Sequence, residues 1–451
     1  MSESPTAAHP ALAGLNDGVA ETARVTFVDH HEEGGARVER FRLGNGLTVI
    51  LWEDHRSPVF AYQTWLKVGS RHEREGKTGI AHLFEHMMFK ATKNHPDGEF
   101  DSVMEQRGAQ TNAATWVDWT YYKEKLPSGN LAFVCELEAD RLENLVLNDA
   151  QLESEREVVK NERLMRVDND PEGRLAEELY ALAFERHSYG WPTIGWMPDI
   201  EGITVADCMG FYDTYYSPNN ATVVIVGDVD TREALGLVQR YYGHLGAREI
   251  PAETVRVEPP QTAEKRKVLT LPLAAPKLLY AFHATAATDP AQPAIEVLDE
   301  ILAGGESSRL YKALVVDGEI ATEVSSWAAA WAQPGLLELG ITLQPGRSVE
   351  EAERVVDEVL AGLRAEPPSE REVLKAVHGI EASALRGAAD TGTRARRLGT
   401  AEATVGDFRW YWTHQEALRR VRPEDVHAAA RRVLAPDNRT VLVGVPAGGA
   451  A

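Results

Sequence analysis

The 451-residue sequence predicts an α+β protein made of two copies of one fold. Three observations carry that reading. A chain of this length exceeds one ordinary hydrophobic core. Strand-like apolar runs alternate with helical ones along it. An internal repeat is also visible: Ser217-Pro218-Asn219-Asn220-Ala221-Thr222-Val223-Val224 resembles Ala435-Pro436-Asp437-Asn438-Arg439-Thr440-Val441-Leu442, 218 residues further on. At the same offset Pro58, ahead of one apolar strand, matches Pro276, ahead of Leu278-Leu279-Tyr280-Ala281-Phe282.

Taken in order, residues 1 to about 36 are rich in Ala, Gly and Glu without sustained periodicity and read as a flexible arm. Regular structure is expected to begin near Phe41. After the turn signal Gly44-Asn45-Gly46, residues 47–52 read as a strand, and residues 59–66 as a second. Thr78-Gly79 then opens an apolar helix through Phe89, with Thr78 as its N-cap. Helices are expected at 99–107, 129–147, 149–167, 172–186 and 204–215; residues 109–126 have strand-like density, and 221–226 is a buried strand. The polar, Pro-containing stretch 247–264 reads as a linker between a domain at 37–246 and its counterpart at 265–451.

Composition narrows the function. The net charge of −22 leaves no basic stripe for nucleic acid. No run approaches the roughly 18 apolar residues that span a bilayer. Two cysteines, Cys135 and Cys208, give no disulfide framework and read as buried free thiols. The start, Met1-Ser2-Glu3-Ser4-Pro5, lacks the features of a secretory signal, so the expected compartment is the cytoplasm, or the periplasm if a leader has been removed.

The chemistry concentrates in His82-Leu83-Phe84-Glu85-His86. Positions i, i+3 and i+4 share one helical face, so two imidazoles can hold one Zn2+ with Glu85 beside the metal but not on it. Such an ion lowers the pKa of its bound water toward about 7, and a nearby carboxylate can take the proton. The competing reading is a chance cluster on an exposed face. Against it, Ile80, Leu83, Phe84, Met87, Met88 and Phe89 make the helix apolar around most of its circumference. Burying His-Glu-His without a shared partner would be costly. A third ligand is best supplied by the segment Glu155 to Glu162, whose end carboxylates are two helical turns apart. On spacing alone that pair also fits a solvated acidic helix. Asp29-His30-His31-Glu32-Glu33 is a weaker metal candidate, because consecutive side chains on a mobile segment seldom converge.

These motifs together resemble the pitrilysin-like (inverzincin) zinc metallopeptidases, and within them the two-domain, mitochondrial-processing-peptidase-like branch. The likeness extends over residues 38–446 and includes Gly69-Ser70-Arg71, Thr78 through Lys90, Asn112-Ala113, Glu155 through Glu162, His187-Ser188-Tyr189-Gly190 and Val226-Gly227-Asp228-Val229. The resemblance implies two homologous α/β-roll halves, each a mostly antiparallel sheet packed against helices. It also implies one Zn2+ per chain on His82, His86 and Glu162, Glu85 as general base, and Glu155 orienting a ligand. Peptide substrate would add as a strand to the edge near Gly108 to Trp116, with Asn112 and Ala113 nearest the scissile bond. The second half lacks the metal motif, because positions 300, 303 and 304 are Glu300, Ala303 and Gly304.

One departure from the family pattern matters. Active members commonly place an Arg and a Tyr, seven residues apart, in the second half, where they stabilise the oxyanion. The landmark Gly304-Gly305-Glu306-Ser307-Ser308-Arg309-Leu310-Tyr311 is present, but the pair falls on Val315 and Thr322. Arg309 and Tyr311 read as helical packing within the landmark. The resemblance therefore implies a zinc-carrying metalloendopeptidase subunit working with a homologous partner that supplies Arg and Tyr. The alternative is a catalytically silent scaffold or peptide-binding subunit of the same fold.

Overall fold

The computed structural model describes residues 9–252 and 256–447. Seven strands form the first sheet: β1 (Val25–Glu33), β2 (Ala36–Leu43), β3 (Thr48–Glu53), β4 (Val59–Leu66), β5 (Gln110–Thr115), β6 (Thr120–Pro127) and β7 (Ala221–Gly227). Their order is β1-β2-β3-β7-β4-β6-β5, antiparallel except for the β3–β7 pair. Five strands form the second sheet: β8 (Lys265–Leu271), β9 (Lys277–His283), β10 (Ala321–Ala328), β11 (Leu336–Leu343) and β12 (Arg439–Pro446).

The second sheet runs β10-β11-β9-β12-β8, with β12–β8 its one parallel pair. Read from its other end, this is the order β3-β7-β4-β6-β5 again. The repeat seen in sequence is thus a repeat of topology. Val59 and Lys277 open β4 and β9, and Ala221 and Arg439 open β7 and β12, each pair 218 residues apart.

Each sheet buries one face against helices. Val49, Leu51, Tyr62, Leu66, Val223 and Ile225 join Leu83, Phe84, Val134, Tyr212 and Val238 in the first core. Leu278, Tyr280, Phe282, Leu339 and Val441 join Leu298, Val356, Val377 and Val426 in the second. Alternation along the strands supplies the sheet side, and helical spacing supplies the other. Cys135 and Cys208 are buried and free, and burial pushes both thiols up to about 12.

The compact units interleave along the chain, and one of the boundaries between them, at 254/255, falls within 247–264. One comprises residues 1–160, 193–254 and 387–409; the other comprises 161–192, 255–386 and 410–451. The helix Thr391–Val405 belongs to the first unit and lies on β4 and β7, where Gly399 meets Trp65. The helix Pro171–Ala183 belongs to the second and lies on β9 and β12.

Residues read in sequence as an arm fold in part. Val25–Glu33 is a strand hydrogen-bonded to β2. Asn16 clips its start by bonds of 2.9 Å to both the N–H and the carbonyl of Val25. Asp29 is engaged by Arg40, with Nε–Oδ1 at 2.9 Å and a second contact at 2.6 Å. A strand also sends successive side chains to opposite faces, which disperses the Asp29–Glu33 run as a metal site. Local composition missed this strand because its partner, β2, supplies the order. Among the described residues no helix is long and apolar enough to cross a membrane.

Candidate metal centre and active site

The motif helix is Ile80–Met87, shorter than the sequence suggests. Ile80, Leu83, Phe84 and Met87 are buried, which turns His82 and His86 to its other side. Thr78 is not the N-cap. Gly79 takes that place in the left-handed region at φ +86°, and the carboxylate of Glu73 accepts the Gly79 and Ala81 N–H groups at 2.9 Å each. Burial drives the Glu73 carboxyl above its ordinary range, against the pull of those two amides. Thr78 instead donates its hydroxyl to Asp199 at 2.6 Å.

The third member comes from the acidic helix Asp149–Arg163. His82, His86 and Glu162 each offer one ligand atom, and these atoms all lie within 4.8 Å of one another. Among the described residues this is the group of three that so converges. The two imidazoles meet edge-on, their ring centres 4.9 Å apart. Two histidines and a carboxylate are a donor set suited to zinc with a fourth position left open.

Glu155 reaches the same place from one face of the acidic helix. Its Oε2 lies 3.4 Å from His86 Nδ1, and its Oε1 2.6 Å from Lys90 Nζ. A carboxylate at Nδ1 is a common way of fixing the tautomer of a metal-binding histidine. The His86 bond, opposed by burial and reinforced by Lys90, holds the Glu155 carboxyl below its ordinary range. Glu162 also lies 3.0 Å from Arg166, one turn on.

Glu85 is buried and outside the ligand group. Its Oε2 accepts the Thr115 hydroxyl at 2.6 Å. Thr115 closes β5, which among the described residues pairs with β6 alone and so is a sheet edge. Asn112 and Ala113 lie three and two residues earlier on that strand. Asn112 is exposed, and its side-chain oxygen accepts the Ala113 N–H at 2.8 Å, covering one amide of the edge. Sequence reasoning missed Thr115, Lys90 and Glu73. Thr115 had a readable signal: it shares strand parity with Ala113, on the face of β5 turned toward the motif helix.

In the second unit Val315 lies in the helical stretch Lys312–Asp317, and Thr322 bonds the Thr342 carbonyl at 3.2 Å. Arg309 is held by Glu372 at 2.8 Å and Tyr311 packs against the second core, so both serve the packing of the landmark.

A paired α+β architecture with His-x-x-Glu-His on a buried helix defines the inverzincin class of zinc peptidases. Family models extend the assignment. Residues 48–196 match "Insulinase (Peptidase family M16)", and residues 202–380 match "Peptidase M16 inactive domain". The chain belongs to the M16 peptidase family. It is 35% identical to the zinc protease PqqE of Helicobacter pylori over 295 residues, 64% of this chain and 66% of that one. It is 29% identical to an uncharacterized zinc protease of Mycobacterium leprae over 408 residues, 88% and 90% of the two chains. The crystal structure of a protease from Helicobacter pylori superposes with a TM-score of 0.86 at 27% identity, covering 91% of this chain and 100% of that one.

Proposed function

We propose that this chain is a zinc-dependent metalloendopeptidase subunit that hydrolyses peptides or short unfolded segments and shares its active site with a homologous partner. The observation that carries the reading is the convergence of His82, His86 and Glu162 beside a carboxylate, Glu85, tied to a free sheet edge. His82, His86 and Glu162 would hold one Zn2+. When bound there, it supplies Lewis acidity and the means to make a nucleophile from water at neutral pH.

The chain's own groups account for the rest. Glu85 acts as general base, taking a proton from water, with one carboxylate oxygen held by the Thr115 hydroxyl. Glu155 orients His86 through Nδ1. Peptide pairs with β5, and Asn112 and Ala113 register the scissile bond beside Glu85.

Val315 and Thr322 occupy the places where family members commonly carry oxyanion donors. Losing such donors costs about 2.7–4 kcal/mol of transition-state stabilisation, so a homologous subunit bearing Arg and Tyr is the expected partner. The same two residues favour a second reading, a silent scaffold or peptide-binding subunit. Zinc content and cleavage of an unfolded peptide, measured with the chain alone and with homologous M16 chains added, separate the readings. Stoichiometric zinc with cleavage only in the mixture supports the shared site. Full activity of the isolated chain refutes sharing. Zinc without cleavage in any mixture leaves the scaffold.

A further inference from the structure

On the side of β5 away from Glu85 lies a recess of about 360 Å³, lined wholly by the first unit. Its lining includes Gln110 and Asn112 of β5, Tyr121 and Lys123 of β6, and Arg396 of the helix Thr391–Val405. Strand parity sorts the edge. Ala113 and Thr115 share one face, and Thr115 meets Glu85 there. Gln110 and Asn112 share the opposite face and line the recess, which also touches Thr111 between them. A peptide strand paired to β5 therefore sends alternate side chains toward the motif helix and into this recess.

The charges at the recess are unevenly matched. Lys125 is paired with Asp390 at 2.6 Å, and Asp390 also accepts the Thr393 N–H at 2.8 Å as the N-cap of its helix. Glu124 is buried and spent on Arg141, 3.1 Å away. Lys123 and Arg396, in contrast, have no ion-pair partner among the described residues. Two unmatched cations in a chain of net charge −22 run against its overall balance. They stand beside the edge on which the proposed substrate would lie.

We propose that this recess is a specificity subsite for an acidic side chain, Asp or Glu, of a peptide paired to β5, with Lys123 and Arg396 as its charge partners. The inference rests on the edge-strand reading of the proposed function and adds a substrate class to it. Electrostatic complementarity of this kind sets register and partner choice more than raw affinity.

The test measures binding of fluorescent decapeptides to the full-length, zinc-loaded Glu85→Gln chain. The peptides are neutral except for one Glu, Gln or Lys placed at successive positions. At one register Glu should bind about five- to tenfold tighter than Gln, a preference that shrinks as salt rises. With Lys123→Glu and Arg396→Glu together, Lys should become the favoured residue at that register. Unchanged thermal midpoints and circular dichroism show that the double variant is folded. Equal binding of Glu and Gln at every position overturns the subsite while leaving edge pairing intact. Failure of every peptide to bind removes edge pairing and the subsite with it. A Glu preference with no cleavage by the unmodified chain, alone or mixed with homologous chains, keeps the subsite and sinks the peptidase reading.

Discussion

The Thr115 hydroxyl donates to Glu85 at 2.6 Å, joining the last residue of the edge strand to the carboxylate of the motif helix. One bond thus fixes the proposed base relative to the strand that would align a substrate. Thr115 is a positioning residue, and removing its hydroxyl while keeping its shape should loosen the base without emptying the site. Thr115→Val is expected to lower kcat about tenfold with little change in KM, the cost of one hydrogen bond to a charged group. Thr115→Ser should recover most of the loss. A rise in KM at constant kcat would show instead that Thr115 serves peptide binding. The measurement requires the assembled, active form.

Glu162 and Glu155 predict different metal behaviour, because one stands among the converging ligand atoms and the other touches His86. Glu162→Gln removes the anionic donor and should abolish stoichiometric zinc. Glu155→Gln should keep zinc but weaken its binding about 10- to 100-fold. In the unmodified chain, zinc at 100 times its dissociation constant should add about 2.7 kcal/mol of stability, which a chelator reverses. Elemental analysis and metal-competition titration decide the matter. Undiminished zinc in Glu162→Gln would remove that residue from the ligand set.

Much of this site was legible because its signals are local. His82, Glu85 and His86 declare themselves by helical spacing, and the repeated Pro-Asn or Pro-Asp turns before β7 and β12 betray the doubled topology. What stayed hidden depends on residues far apart in sequence. Glu73 caps the motif helix from a loop, which no propensity for Thr78 could reveal. Val25–Glu33 looks like an arm until β2 pairs with it. The exchange of helices between units is equally invisible, because the amphipathic pattern of residues 391–405 says that the helix packs, not on which sheet.

Gly399 offers a test of that last arrangement. A Cβ there would stand 2.1 Å from the Trp65 indole, and Trp65 is itself fully buried and stacked on Tyr121 at 4.3 Å. The ring has nowhere to withdraw, so glycine in mid-helix serves close approach. Gly399→Ala gains about 1 kcal/mol of helix propensity but incurs overpacking of about 1–3 kcal/mol. A net loss should appear as a lower urea midpoint at unchanged m. Stabilisation would mean that this helix does not seat on β4 as described.

The last prediction concerns acid. Burial first, then the neighbouring Arg71 cation, depress His72 to about 3, while its Nδ1 accepts the Gly69 N–H at 3.1 Å, as a neutral ring must. In the unfolded chain the same imidazole takes up a proton near 6.5. The folded pKa lies below the unfolded one, so the neutral ring's contribution is fully present above about pH 6.5 and drains away as pH falls toward 3. This group alone imposes a slope of up to about 1.4 kcal/mol per pH unit across that window. His72→Gln cannot titrate there. Its unfolding free energy should start lower at pH 8, where the imidazole's packing is lost, yet decline more gently between pH 6.5 and 3 than that of the unmodified chain. Parallel declines in urea titrations of the two proteins would place the acid-sensitive group elsewhere.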